Sequence, residues 1–93
     1  MNRTFKNDRL FRAVDMLLFR ENDIRIRVAD ACYILKDINQ RELSNELYVE
    51  LQKILDDACK DGSFEETAKK CRKKTYVGLA KRIYAIHYKN ELN

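Results

Sequence analysis

The sequence predicts an all-α protein: a compact bundle of about four helices, up-down or orthogonal, with the last helix longest. Three observations lead there. Apolar side chains recur about every 3.6 residues along most of the chain, the period of one helical face. Proline is absent and glycine occurs only at Gly62 and Gly78, so few positions interrupt a helix. Ser63-Phe64-Glu65-Glu66 has the spacing of a capping box, in which a serine hydroxyl and a glutamate satisfy each other's backbone amides.

At 93 residues the chain suits a single helical domain spanning 1–93, and its ends, 1–6 and 90–93, are expected to fray. Area scaling allows roughly 65% of the extended-chain surface to be buried, enough for a modest core. With 45% apolar and 37% charged residues, the chain is too apolar to stay disordered and too charged to span a bilayer. The opening residues, Met1-Asn2-Arg3-Thr4-Phe5-Lys6, hold no apolar run, so no secretory leader is expected.

The first helix is expected over about residues 7–20. Leu10, Phe11, Val14, Leu17 and Leu18 draw one broad stripe, which Ala13, Met16 and Phe19 widen. Asn7 is the expected cap. The next segment is ambiguous at its start, because Ile24-Arg25-Ile26-Arg27-Val28 alternates like a strand. Ile24, Val28, Ala31, Cys32, Leu35 and Ile38 nevertheless share a helical face for four turns, so helix prevails, capped by Asn22 or Asp23. The third helix starts at Asn39, with Glu42 at the matching position, or at the rival cap Ser44. Leu43, Leu47, Leu51, Ile54, Leu55 and Ala58 form its seam, and Asp61-Gly62-Ser63 ends it near Lys60. Behind the Ser63 box, Phe64, Ala68, Cys71, Thr75, Leu79, Ile83 and Ile86 align, which predicts one helix over 65–89, about 37 Å long. Gly78 inside it marks either a kink, a close approach by another helix, or a tolerated weak position.

Charge is divided along the chain. Residues 1–27 carry seven basic and four acidic side chains, a net of +3; residues 28–62 carry four and eight, −4; residues 63–93 carry eight and three, +5. The run Lys69-Lys70-Cys71-Arg72-Lys73-Lys74, continued by Lys81 and Arg82, is the candidate phosphate-contacting surface. Its alternative is intramolecular pairing with the acidic third helix. That acidic helix is a poor choice to enter a groove between phosphates, and neither zinc-finger spacing nor a basic zipper is present. The final helix is also amphipathic, yet its apolar side chains are needed for the core, so no membrane role is expected.

Catalysis finds no support in the residues. His87 is the only histidine, and the chain has no GxSxG turn, phosphate-binding glycine loop or HExxH helix. Cys59, Cys71 and His87 are acceptable zinc ligand types, but they lack close paired spacing and a fourth ligand. The expectation is therefore no enzyme, no metal and no cofactor. Three cysteines, Cys32, Cys59 and Cys71, are an odd number and too few for an oxidised scaffold, which fits reduced thiols and the cytoplasm.

These features favour a small non-enzymatic regulator, inhibitor or adaptor that binds a protein, with nucleic-acid binding through the basic final helix as the alternative. Tyr48, Val49, Tyr76, Tyr84 and Tyr88 are the candidate interface residues, because a tyrosine buries a large ring while keeping a hydroxyl for a polar partner. So small a core also favours pairing of two copies into a homodimer.

Overall fold

Side-chain caps start the first four α-helices. In the computed structural model, which describes residues 6–92, five α-helices follow one another: α1 (Asp8–Phe19), α2 (Ile24–Leu35), α3 (Asn45–Ala58), α4 (Phe64–Lys70) and α5 (Lys73–Leu92). The Asn7 side-chain oxygen accepts from the Leu10 amide at 3.0 Å, and the Asp23 carboxylate accepts from the Arg25 amide at 2.9 Å. Both rival starts of the third helical segment are used. Asn39 and Glu42 form a reciprocal capping box around a short 3-10 turn, Gln40–Glu42, and Ser44 then caps α3 through the Leu47 amide at 3.3 Å. The Ser63 hydroxyl accepts from the Glu66 amide at 3.0 Å, as the motif requires.

Asn7 is buried, and its side-chain amide also donates to Glu42 at 3.2 Å, which ties the start of α1 to the 3-10 turn. At the other end of α3, the Gly62 amide donates to the Cys59 carbonyl at 3.0 Å, and Gly62 takes a positive φ of 113°. A side chain there would strain the backbone, so glycine is the suitable turn residue. The described residues contain no strand; the alternating stretch from Ile24 to Val28 is the first turn of α2.

The core is one cluster to which every α-helix contributes. Leu10, Val28, Leu35, Leu51, Ile54, Ile83 and Ile86 are almost fully enclosed. α1 and α2 pack along each other, α4 packs on α2, and α5 lies across α1, α2 and α3. The radius of gyration, 12.7 Å, agrees with the ~12 Å expected of a compact chain this long.

The expected helix over 65–89 is broken. Cys71 is extended, at φ −97° and ψ 157°, and α5 restarts at Lys73, with the Arg72 carbonyl accepting from Thr75 and Tyr76. No proline or glycine marks this break; packing selects it. Thr67 is fully buried, its hydroxyl donates to the Ser63 carbonyl at 2.8 Å and accepts from the Asp61 amide at 3.0 Å, and so anchors α4 beneath the α3–α4 loop. The two non-helical residues also rotate the register. Thr75, expected inside, is exposed, and Tyr76 is buried in its place. α5 passes through Gly78 without interruption, and outside its own helical turn nothing among the described residues lies within 4 Å of where a Cβ would stand there.

Residues 1–5 and 93, where frayed ends are expected, lie outside the described residues. Within the description α5 continues to Leu92, Asn90 is buried, and the Lys6 amide donates to the Glu91 carboxylate at 2.9 Å.

Candidate protein-binding face

α1 and α5 leave a valley between them. Val14 of α1 is buried, and one turn later Leu18 projects outward on the same side, the spacing that places neighbours along one helix edge. On α5 the steps from Val77 to Lys81, Tyr84 and Tyr88 alternate four, three and four residues, which keeps all four on the edge facing the valley. The result is a groove of about 400 Å³. Val14, Leu17 and Ala80 form its floor, Leu18, Ile24, Val77 and Tyr84 its walls, and among the described residues Lys81 is the one charged side chain in its lining.

The exposed apolar area here is substantial. Leu18 is 58% exposed, Val77 42%, Tyr84 49% and Tyr88 55%; Phe19, at the end of α1, reaches 75%. Scattered exposed apolar residues are ordinary on a protein surface, whereas several along one groove are less so. His87 sits at the far end of the valley, with its ring 6.2 Å from Phe11 and 6.5 Å from Tyr84.

The five candidate interface residues do not form one surface. Tyr84 and Tyr88 lie on the α5 edge beside the groove. Tyr76 is 1% exposed and belongs to the core, a consequence of the register change at Cys71. Burial pushes its phenol up to about 12, with Cys71 and Cys32 nearby adding to the effect. Tyr48 is half-buried against the core, and Val49 opens onto a different valley, between α3 and α5. That second valley mixes Leu47, Val49, Ala85 and Ile86 with the charged Glu46, Glu50, Lys53, Arg82 and Lys89. Leu18 and Phe19 were expected in the core stripe of α1. The stripe itself held the signal, since Leu17, Leu18 and Phe19 in succession cover more than half of the helix circumference and cannot all face inward.

The basic residues are likewise divided. Arg82 is engaged by the acidic third helix: its guanidinium donates to Asp57 at 2.9 Å and to Glu50 at 3.2 and 3.3 Å, and these carboxylates raise its already high pKa. Lys73 pairs with Asp23 at 3.1 Å, and Lys69 with Glu66 at 3.7 Å. The Asp23 carboxyl is held well below the ordinary carboxylate range, chiefly by the Arg25 side chain and amide and then by Lys73. Lys70, Arg72, Lys74 and Lys81 are exposed and have no carboxylate within ion-pair distance among the described residues. Lys70 ends α4, Arg72 lies in the break, and Lys74 and Lys81 stand on α5 about two turns apart.

Cys71 follows α4, Cys59 follows α3, and His87 lies against Phe11 and Tyr84. Among the described residues, no group of three His, Cys, Asp or Glu side chains converges as a metal site. Cys32 is buried, and loss of solvation pushes its thiol up to about 12. No helix of the described residues is long and apolar enough to cross a membrane. Comparison with protein-family models, with curated proteins and with solved structures gives no match.

Proposed function

We propose that the chain is a small, non-enzymatic helical regulator or adaptor that binds a protein partner through the α1/α5 face. The observation that carries this reading is the apolar groove bounded by Leu18, Val77 and Tyr84, with Tyr88 one turn further along α5. Interface centres are depleted in charge and enriched in aromatic side chains, which describes this groove better than the charged α3/α5 valley. Pairing of Arg82, Lys73 and Lys69 with carboxylates weakens the case for phosphate contact by the same residues. The reading places the protein in the cytoplasm, where Cys32, Cys59 and Cys71 remain reduced.

Affinity capture from the native host at moderate and high salt tests it. A stoichiometric, nuclease-resistant protein partner that is lost with Tyr84→Ala supports the reading. Recovery of nucleic acid alone, sensitive to nuclease and to salt, refutes it and assigns the exposed Lys70, Arg72, Lys74 and Lys81 to phosphate contacts.

A further inference from the structure

The two banks of the α1/α5 groove differ in charge. Helical spacing puts Lys74 and Lys81 on the α5 bank, in line with Val77, Tyr84 and Tyr88. Across the valley, Asp15 follows Val14 and precedes Leu18 by one turn, so it lies on the outer edge of the α1 bank. Lys74, Lys81 and Asp15 are all exposed, and none has an ion-pair partner among the described residues. The other charges of that α1 edge, Asp8 and Arg12, pair with each other at 3.6 Å and cancel.

We propose that this face is covered by a second copy of the chain, related by a two-fold axis running along the groove. This inference names the partner of the function proposed above and rests on that reading. Rotation about such an axis carries α1 of one copy over α5 of the other. Each Asp15 bank then meets a Lys74/Lys81 bank, twice in one interface, while the apolar walls close between them. A two-fold axis across the groove instead stacks like bank on like bank, which charge disfavours. The second copy supplies the required bipolar pattern by symmetry alone.

The area is adequate. Leu18, Val77, Tyr84 and Tyr88 together expose on the order of 400 Å², taking ~200 Å² for a large side chain. The stems of Lys74 and Lys81 and the half-buried Ile24 bring the face towards the ~800 Å² per partner of a standard interface. A net charge of +4 on each copy opposes association. At physiological salt the Debye length is about 8 Å, so repulsion between distant charges is largely screened and the alternating signs at the interface prevail.

Analytical ultracentrifugation of the purified full chain is the test. The expected result is a monomer–dimer equilibrium with a dissociation constant of ~1 µM or tighter. Leu18→Glu and Val77→Glu should each raise that constant at least about tenfold, with helical circular dichroism unchanged because both positions are already exposed. Asp15→Lys and Lys81→Asp should each weaken the dimer, and the two together should restore it to within about threefold of the original. A chain that remains monomeric at ~100 µM overturns the proposal. So does a dimer indifferent to both glutamate variants, and a double charge swap that fails to restore affinity overturns the two-fold arrangement. A monomeric chain that still captures a different protein through Tyr84 loses this inference alone, whereas one that captures none loses the functional reading as well.

Discussion

Arg27 in α2 donates from Nη1 to the main-chain carbonyl of Leu17 in α1 at 2.7 Å. That carbonyl belongs to the final turn of α1, where the helix has no following amide to offer, and the turn itself contains no basic residue. The guanidinium thus satisfies an orphan acceptor and places positive charge at the negative end of the helix. Replacing Arg27 with Ala should cost about 1.5–3 kcal/mol in urea denaturation, the usual worth of a hydrogen bond from a charged group. A change near zero means that water replaces the contact fully.

Tyr76 fills the core with a hydroxyl that has no hydrogen-bond partner among the described residues. Tyr76→Phe keeps the ring and removes the unsatisfied group, so stability should be unchanged or rise by up to ~1 kcal/mol. Tyr76→Ala should cost about 3–5 kcal/mol through the cavity it leaves. The phenol's pKa rises from 10.0 to about 12 on folding, so the native state favours the neutral form. Above pH 10 the unfolded chain releases this proton more readily, and the associated stability is lost as pH climbs towards 12. Alkaline denaturation of wild type beside Tyr76→Phe checks the sign: the variant should lose less stability across that window.

The thiols should react in two classes. Cys59 and Cys71 are partly accessible, whereas Cys32 is buried and its pKa stands at about 12. A thiol-directed chromogenic reagent at neutral pH should label Cys59 and Cys71 in the native state and reach Cys32 only on unfolding. Rapid native labelling of Cys32 contradicts its burial.

Gly78 carries a helix-propensity penalty, and among the described residues no neighbouring element occupies the space that a side chain there would fill. An alanine methyl there meets open space, and the backbone is helical without a positive φ. Gly78→Ala should therefore stabilise the protein by about 0.5–1 kcal/mol, measured as a higher denaturation midpoint. A destabilised variant means that the position contacts something outside the chain's own fold.

Much of the fold was legible because its signals are local. Asn7, Asp23, Asn39, Ser44 and Ser63 each announced a helix start that backbone amides then use. The break at Cys71 and Arg72 was not legible, since neither residue disfavours a helix strongly and the deciding contacts come from Thr67 and Tyr76, distant from any recognisable breaker. Its consequence propagated. An uninterrupted register gave Thr75 to the core and left Tyr76 for the surface, the reverse of what is found. The candidate face shows the same division. Tyr84 and Tyr88 stood out as surplus aromatics, but Leu18 and Phe19 read as core because periodicity reports a helix's apolar side and says nothing of whether a neighbouring helix covers all of it.

The two-turn length of α4 sets how the molecule opens. A helix of seven residues is far below the length that persists alone in water. Its order is borrowed from Phe64, Thr67 and Ala68 seated in the core and from the Thr67 clamp on Asp61 and Ser63. Once Thr67 leaves its seat, the clamp and both flanking turns are lost in one step. Amide protons from Cys59 to Arg72 should accordingly exchange with deuterium as one cooperative unit, ahead of the amides in α3 and the middle of α5.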